Sequence, residues 1–329
     1  MSKIIWEKFL KTVKKNNLIL PNDRILCAVS AGPDSISLTH LLIRLKKILN
    51  FDLGLAYINH QLRPKKQIKK EIKLVKKIAE EFNLPYFIEE IRIKKTGLGL
   101  EAFARKLRYK ALQKIAEKNH FNKIATGHTL NDQAESVLLN LIRSRNLDGI
   151  TGIPLFRPTE NKKIKIIRPL LEIKKEELIK YLKENKIKYC FDISNLDTSI
   201  SRNLIRRKIL PLMEKINPSV QEHLSEFAKF SYYKHQYIEK NIKRIFKRTA
   251  HTVKEKKDTI SLDLLKFLRY NIYLQRKILT FCFEYLLKKN IEEKTVDQTL
   301  NFINSNRKEI TIKEFLIKKC QTRIYLKKI

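Results

Sequence analysis

The sequence predicts an α/β fold: a doubly wound parallel sheet, then a helical region, then a small C-terminal α+β part. Apolar strand-like runs alternate with amphipathic helical stretches through the first half, which is the rhythm of βαβ units in a parallel sheet. Residues 220–289 read mostly as helix with a break near 252–258, and residues 309–328 alternate with a period of two. A chain of 329 residues, 43% of them hydrophobic, is long enough for one large core and a smaller one.

Strands and helices alternate in order along the first half. The strands are predicted at residues 25–29, 53–58, 86–91 and 123–126. The helices are predicted at residues 36–49, 65–82, 100–118 and 132–143. A shorter strand at 164–167 and helices at 174–185 and 203–216 follow. Ligands of such sheets bind at the carboxyl ends of the strands, so Asn59-His60, Gly127-His128 and the loop 30–35 should open onto one crevice.

A domain boundary is predicted at Asn217-Pro218, where the pattern of the preceding helix ends. The sequence therefore divides into a first domain over residues 1–217 and a basic, mainly helical second domain over residues 218–329.

The formal net charge is +36, from 70 Lys and Arg against 34 Asp and Glu. This excess predicts a polyanionic partner such as a nucleic acid, although a lysine-rich composition explains part of it. We expect no membrane association and a cytoplasmic protein, because no run of 18 apolar residues occurs and the first 20 residues contain five lysines and no hydrophobic leader. The four cysteines lie far apart without a C-x-x-C pair, which argues against a zinc ribbon, an iron–sulfur site or a disulfide framework.

A loop of small residues between a buried strand and a helix start is the most informative motif. Its members are Ser30, Ala31, Gly32, Pro33, Asp34 and Ser35. Gly32 permits close approach of an anion, and the N–H groups of the first helical turn point outward. Asp34 beside a phosphate cradle makes sense if a divalent cation lies between the two negative groups. The alternative is an ordinary strand-to-helix turn with an Asx cap. Ala31 is strained if its position needs a positive φ.

A second motif follows the strand at residues 123–126. The strand end delivers His128, and the next helix begins with Asp132 and Glu135, whose three-residue spacing puts both carboxylates on one face near the positive helix end. Such a pair is able to hold a cation or to orient and deprotonate an amine. The alternative is a capping box, with Asn131 or Asp132 as N-cap and Glu135 closing it.

A third motif lies on the helix at residues 100–118. Glu101, Arg105 and either Arg108 or Tyr109 share one helix face. Taken alone, this motif is equally typical of an ion-paired surface helix.

The motifs together carry a family resemblance. The loop 30–35 resembles the PP-loop, Ser-Gly-Gly-x-Asp-Ser, of the ATP pyrophosphatases, with Ala31 in place of the first glycine. The further motifs, in chain order, are Asn59-His60-Gln61-Leu62-Arg63, Glu101-x-x-x-Arg105-x-x-Arg108-Tyr109, Gly127-His128-x-x-Asn131-Asp132-Gln133-x-Glu135, Arg168-Pro169-Leu170-Leu171, Asp192-x-Ser194-Asn195 and Arg202-Asn203-x-x-Arg206. This order resembles the tRNA(Ile)-lysidine synthases in their short form.

The resemblance implies a two-step ligation on the wobble cytidine, position 34, of an isoleucine tRNA with a CAU anticodon. ATP adenylates the C2 oxygen of the base, and the ε-amine of free L-lysine then displaces AMP. The product, lysidine, pairs with A, so that codon reading changes from AUG to AUA. The first domain would be the catalytic PP-loop domain and the second would bind the tRNA.

The resemblance also implies roles for individual residues. Residues 30–35 would hold the ATP phosphates, with Asp34 toward Mg²⁺. His128 and Arg202 would contact ATP or its departing pyrophosphate, and Arg105, Asp132 and Glu135 would position the cytidine and the lysine. In the second domain, a basic face and upstream tyrosines would contact RNA; they are Lys243, Arg244, Lys247 and Arg248, and Tyr232, Tyr233 and Tyr237.

One segment departs from the family pattern, and two other functions stay open. Where the family has Arg-Gly-x-Gly, this chain has Arg143-Ser144-Arg145-Asn146. One alternative is a PP-loop enzyme that thiolates tRNA, which typically uses paired or catalytic cysteines. The other is a non-catalytic RNA-binding protein, which would leave the aligned acidic residues unexplained. The oligomeric state is not fixed by the sequence, and a homodimer is one option.

Overall fold

The structure, a computed structural model, describes residues 2–61, 64–91, 100–144, 150–159, 161–190, 201–252, 258–289 and 291–329. The chain divides into two units, Met1–Tyr232 and Tyr233–Ile329. The division predicted at residue 217 stays a prediction.

The first unit contains six strands and most of the helices. The strands are β1 (Arg24–Ala28), β2 (Asp52–Asn59), β3 (Tyr86–Glu90), β4 (Lys123–Ala125), β5 (Phe156–Pro158) and β6 (Lys165–Ile167). The helices are α1 (Ser2–Lys15), α2 (Pro33–Lys46), α3 (Lys65–Glu81), α4 (Leu100–Lys118), α5 (Leu130–Arg143), α6 (Lys175–Glu184), α7 (Ser201–Leu204) and α8 (Leu210–Ile216), with a π-helical turn, Ile205–Ile209, between α7 and α8. Helix α9 (Val220–Thr249) begins in the first unit and ends in the second.

The six strands form one sheet in the order β3-β2-β1-β4-β6-β5. Every neighbouring pair is parallel except β5 with β6, which is antiparallel. The predicted fold class is therefore confirmed, with one antiparallel edge strand added. The chain order reverses between β1 and β4, so the loops that follow these two strands flank the switch point of the sheet.

The strands β1, β2 and β4 are buried on both faces, in agreement with their near-continuous apolar runs, whereas the edge strands β3 and β5 are partly exposed. Alternate side chains of β1 enter different clusters: Ile25 and Cys27 pack with α1, α2 and α6 residues, while Leu26 packs with Leu112 and Phe121 from the α4 side. Helix α1 was not predicted. Its buried residues recur at helical spacing, but five lysines in the first 20 residues masked the pattern.

The second unit is built around an antiparallel sheet in the order β7-β8-β11-β10-β9. Its strands are β7 (Ala250–Thr252), β8 (Thr259–Asp263), β9 (Glu309–Ile312), β10 (Phe315–Lys319) and β11 (Arg323–Lys328). Helices α10 (Leu264–Leu268), α11 (Ile272–Leu287) and α12 (Glu293–Ile303) pack on it. The predicted small C-terminal α+β part is thus confirmed, but the region read as mostly helix also supplies β8. Among the helices of the described ranges, none has the length and apolar character that a membrane crossing requires.

A buried ion pair fixes the amino ends of β1 and β4. Lys123 Nζ lies 2.5 Å from Asp23 Oδ2 and 2.9 Å from the Leu18 carbonyl oxygen, and both charged side chains are 8% exposed. Asp23 also accepts hydrogen bonds from the Leu20 N–H and the Asn122 side chain.

We expect Lys123→Met to lower the free energy of unfolding of the first unit by about 1.5–3 kcal/mol, because the charge-assisted hydrogen bonds are lost while Met fills the volume. Urea denaturation followed by circular dichroism measures the change. The matched control is Lys114→Met, which removes an exposed pair with Glu89 and should cost less than about 1 kcal/mol. Equal losses in the two variants would contradict this account.

Candidate active site

The loop between β1 and α2 is folded as an anion cradle. The Ser30 N–H donates to Ser35 Oγ at 3.1 Å, and Ser35 Oγ donates to the Gly32 carbonyl oxygen at 3.1 Å, so the loop closes on itself. Helix α2 begins after Gly32 without a side-chain cap, and Pro33 occupies its first turn. The N–H groups of that turn therefore remain for a ligand.

Ala31 adopts the left-handed conformation that the sequence analysis considered. Its φ is +59°, a region that costs an alanine conformational energy that a glycine would not pay. The residue is fully buried, and its carbonyl oxygen accepts a hydrogen bond from the Cys190 N–H at 2.8 Å. The strained position is thus held by the surrounding structure.

Gly127 brings the loop after β4 into direct contact with this cradle. A Cβ atom on Gly127 would lie 3.0 Å from the Asp34 carbonyl carbon and 3.1 Å from the Ser35 nitrogen. These are backbone atoms of the first turn of α2, so they are not free to move aside. A glycine is required here for the two loops to approach.

We expect Gly127→Ala to weaken ATP binding by roughly tenfold, because relieving the overlap displaces the α2 backbone at a cost of about 1–3 kcal/mol. Titration with a non-hydrolysable ATP analogue measures the affinity. Gly32→Ala is the steric control for fold stability, since its Cβ would meet only Ser30 Oγ, at 3.7 Å. An unchanged affinity in Gly127→Ala would contradict this expectation, because it would show that ATP binds even when the loops after β1 and β4 are moved apart.

The two carboxylate oxygens of Asp34 have different surroundings. Lys175 Nζ lies 3.1 Å from Asp34 Oδ2. The other carboxylate oxygen, Oδ1, is buried and has no hydrogen-bond partner in the part of the chain that the structure describes. Burial raises the pKa of Asp34, Lys175 opposes this effect, and the nearby Asp132 adds to it. Lys175 was not predicted as a site residue, because one lysine at the start of a charged helix is indistinguishable in the sequence from a surface lysine.

The N-cap residue of α5 is neither of the two residues considered from the sequence. Thr129 is the N-cap residue, and it exchanges hydrogen bonds with Asp132 in a capping box. The expected caps, Asn131 or Asp132 with Glu135, are therefore wrong. Asn131 instead accepts a hydrogen bond from the Lys175 N–H at 2.8 Å. Capping fixes the Asp132 carboxylate at the positive end of α5, facing the cradle.

Glu135 is fully buried and binds two arginines. Arg206 approaches it through Nε at 2.6 Å and Nη2 at 3.0 Å, and Arg202 Nε lies 3.3 Å away. Burial raises the pKa of Glu135, and this effect outweighs the hydrogen bonds from Arg206, which lower the pKa. Arg206 also reaches to 3.7 Å from Asp132. The spacing of Arg202 and Arg206 signals a shared helix face, but the sequence analysis assigned no role to Arg206.

His128 is a neutral imidazole in this setting. Its Nδ1 lies 2.9 Å from Thr126 Oγ1. Burial and the charges of Arg168, Arg105 and Arg108 hold the pKa of His128 well below its usual range, although Asp132 opposes them. Arg105 therefore lies within electrostatic reach of His128, and its role with the cytidine stays a prediction.

Two further motif residues lie at the ends of elements. Asn59 hydrogen-bonds Glu90 at the carboxyl end of β2, and Arg143 is an exposed residue at the end of α5. Seven motif positions lie outside the described residues: Leu62, Arg63, Arg145, Asn146, Asp192, Ser194 and Asn195.

A magnesium ion fits this donor set. No group of three or more His, Cys, Asp or Glu side chains with metal-binding geometry occurs among the described residues. Mg²⁺ in nucleotide sites typically takes one or two carboxylates and completes its coordination with phosphates and water. The unpartnered, buried Oδ1 atom of Asp34 matches that requirement.

A mostly parallel sheet with an uncapped helix start and a half-buried aspartate at its switch point is typical of a phosphate-binding α/β domain. The profile of the PP-loop domain family matches residues 1–213, and the chain belongs to this family. Membership implies that the protein uses ATP.

The chain is also similar to curated tRNA(Ile)-lysidine synthases. It is 41% identical over 228 residues to that of Thermosipho africanus, covering 68% of this chain and 52% of the relative. It is 36% identical over 258 residues to that of Clostridioides difficile, covering 77% of this chain and 54% of the relative. The predicted family resemblance is confirmed, and the chain spans about half the length of these relatives.

Among solved structures, the U34-tRNA thiolase NcsA from Methanococcus maripaludis superposes with a TM-score of 0.57 at 21% identity. The match covers 70% of this chain and 79% of the thiolase. At this identity the likeness concerns the fold alone.

Proposed function

We propose that this protein ligates L-lysine to C2 of the wobble cytidine of a CAU-anticodon tRNA(Ile), with ATP converted to AMP and pyrophosphate. The observation that carries the proposal is the single crevice in which the PP-loop, Asp34, Asp132 and the Arg202–Glu135–Arg206 group meet. The similarity to relatives named for this reaction supports it. The product would convert the tRNA from reading AUG to reading AUA, and a tRNA substrate places the protein in the cytoplasm.

In the adenylation step, the loop N–H groups and the hydroxyls of Ser30 and Ser35 bind the ATP phosphates. Asp34 would hold Mg²⁺ through Oδ1, its unpartnered oxygen among the described residues. When bound, the ion would neutralise charge that develops on the phosphates. Lys175 pairs with Oδ2, the other oxygen of Asp34, and its ammonium group would also pair with a phosphate oxygen. Arg202 and neutral His128 donate hydrogen bonds to the departing pyrophosphate.

In the ligation step, Asp132 receives the lysine substrate. Its pKa is lowered despite burial, by the Thr129 N–H and the charges of Arg202 and Arg206, so it is ionised and able to bind an ammonium group or accept a proton from the attacking amine. Arg105 positions the cytidine. Glu135 acts as a positioning residue, because both of its oxygens already bind arginines.

The second unit supplies a basic surface for the tRNA body. Lys243, Arg244, Lys247 and Arg248 are all exposed on α9, and Tyr237 is 70% exposed. Lysines and arginines on a helix bind phosphates without reading sequence. A homodimer remains an open option for the assembly.

Thiolation is not proposed, although the fold resembles that of a tRNA thiolase. Cys27 is buried in β1, and burial raises its pKa to about 12. A thiol with that pKa is not a nucleophile at neutral pH.

The adenylation step is tested without lysine. The protein is incubated with Mg²⁺, a CAU tRNA(Ile) transcript and ATP labelled at the α-phosphate. We expect label to accumulate on the RNA and to be released as AMP when lysine is added. A transcript with uridine at position 34 is the control and should stay unlabelled. Label on neither RNA, with ATP unconsumed, would contradict the proposal.

A further inference from the structure

Four guanidinium groups gather around one tyrosine beside the proposed active site. The Cζ atoms of Arg157, Arg105 and Arg108 lie 5.0, 5.6 and 5.9 Å from the centroid of the Tyr109 ring. Arg168 is the fourth. Burial raises the pKa of Tyr109, but the positive charges of Arg168, Arg105 and Arg108 outweigh burial, so the pKa is lowered overall. We call these four arginines and Tyr109 the Tyr109 cluster.

Arg168 forms the buried floor of the Tyr109 cluster. The residue is 1% exposed, and its Nη1 donates to the Pro154 carbonyl oxygen at 2.5 Å. Its Nε is buried and finds no hydrogen-bond partner among the described residues. Burial lowers the pKa of Arg168, so the charge is costly here. A buried guanidinium is normally paired with an anion or completed by one.

The positive charge of Arg168 is not neutralised by any acidic side chain in the described part of the protein. Within the described ranges, no carboxylate forms an ion pair with Arg105, Arg157 or Arg168. The positive charges of Arg157 and Arg105 both lower the pKa of Arg168. The nearby Arg202 and Arg206 differ, because Glu135 pairs with both. A guanidinium group is able to donate two parallel hydrogen bonds to a phosphate, so Arg105, Arg157 and Arg168, which have no carboxylate partner among the described residues, are suited to that ligand.

The Tyr109 cluster borders His128. Arg168 directly follows β6, and the Thr126 N–H donates to the Ile167 carbonyl oxygen at 3.0 Å, so the two strand ends are adjacent. Arg168, Arg105 and Arg108 all act on the pKa of His128. A phosphate at the Tyr109 cluster would therefore lie next to the proposed reaction site.

We propose that the Tyr109 cluster is a second phosphate-binding site, separate from the PP-loop, with Arg168 as its fixed floor and the half-buried Arg105 and Arg157 closing on the ligand. The phosphate belongs either to the nucleotide or to the RNA backbone. This inference deepens the proposed function and rests on it, because the nucleotide and the RNA are the substrates of that function. The experiment below measures binding rather than lysine transfer, so the phosphate site and the proposed function are tested independently.

The experiment compares Arg157→Gln and Arg168→Gln with the control Arg44→Gln at fixed ionic strength. Arg44 is exposed on α2, with its Cζ 4.3 Å from the Trp6 ring centroid, so the control removes the same charge elsewhere. One arm measures the affinity for a non-hydrolysable ATP analogue. The other measures the affinity for a CAU anticodon stem-loop RNA in the presence of saturating analogue.

We expect at least one of these affinities to fall by at least about tenfold in the cluster variants, the loss typical of a charge-assisted hydrogen bond. The control should change neither by more than about twofold. A fall in the first arm assigns the site to a nucleotide phosphate, and a fall in the second assigns it to the RNA backbone. Wild-type affinities in both arms for Arg157→Gln, whose half-buried side chain should not affect folding, would overturn the proposal even if Arg168→Gln fails to fold.

Discussion

Replacing Asp34 by asparagine should lower the rate of tRNA adenylation by at least about 100-fold. The amide keeps the size of the side chain but removes the negative charge that we propose holds the metal ion. A metal ion supplies several kcal/mol of stabilisation to developing phosphate charge, and about 1.4 kcal/mol corresponds to a factor of ten in rate. Lys175 remains, but it is 27% exposed, so water solvates its charge once the carboxylate is gone.

The measurement is the initial rate of AMP formation as a function of Mg²⁺ concentration, with circular dichroism to confirm folding. Asp52→Asn is the matched control, because Asp52 is 67% exposed and its pair with Arg24 is 3.5 Å long. That variant should have the wild-type rate. If Asp34→Asn also has the wild-type rate and Mg²⁺ dependence, Asp34 does not hold the metal.

The second large effect is expected for Glu135→Ala, which should lower the free energy of unfolding of the first unit by about 3–5 kcal/mol. The fully buried carboxylate pairs with Arg202 and Arg206. Removing it leaves two partly buried guanidinium groups facing each other and also opens a cavity. Adenylation should fall as well, because Arg202 loses the partner that orients it.

Chemical denaturation measures this loss, with Glu89→Ala as control, since the exposed pair of Glu89 with Lys114 should contribute less than about 1 kcal/mol. The double variant Glu135→Ala, Arg206→Met should recover part of the stability, because it removes one of the unpaired charges. A single-variant loss below about 1 kcal/mol would show that the buried group is not a structural element.

Much of the fold was predictable because burial leaves a direct trace in the sequence. Strands such as β1 and β2 are apolar on both faces, and small residues mark the loop that follows β1. Short elements leave a weaker trace: β5 has three residues, and β8 follows a charged stretch. Helix α1 was hidden by lysines on its exposed face.

The candidate site was predicted as a set of residues, but not as a network. The sequence places Asp34, Asp132 and Glu135 after the correct strands, whereas their partners Lys175 and Arg206 come from distant positions. Basic residues are so frequent in this chain that spacing alone does not distinguish a buried partner from a solvated one. The cap at Thr129 was missed because Thr129, Asn131 and Asp132 are all residue types that cap helices, and only the hydrogen bonds distinguish them.

The proposed reaction joins lysine to cytidine 34. The most direct measurement is the incorporation of labelled L-lysine, with ATP and Mg²⁺, into an unmodified CAU tRNA(Ile) transcript, compared with the same transcript carrying uridine at position 34. We expect label only in the transcript with cytidine. No label, with AMP and pyrophosphate still released, would show that the PP-loop chemistry is correct but that the nucleophile is not lysine.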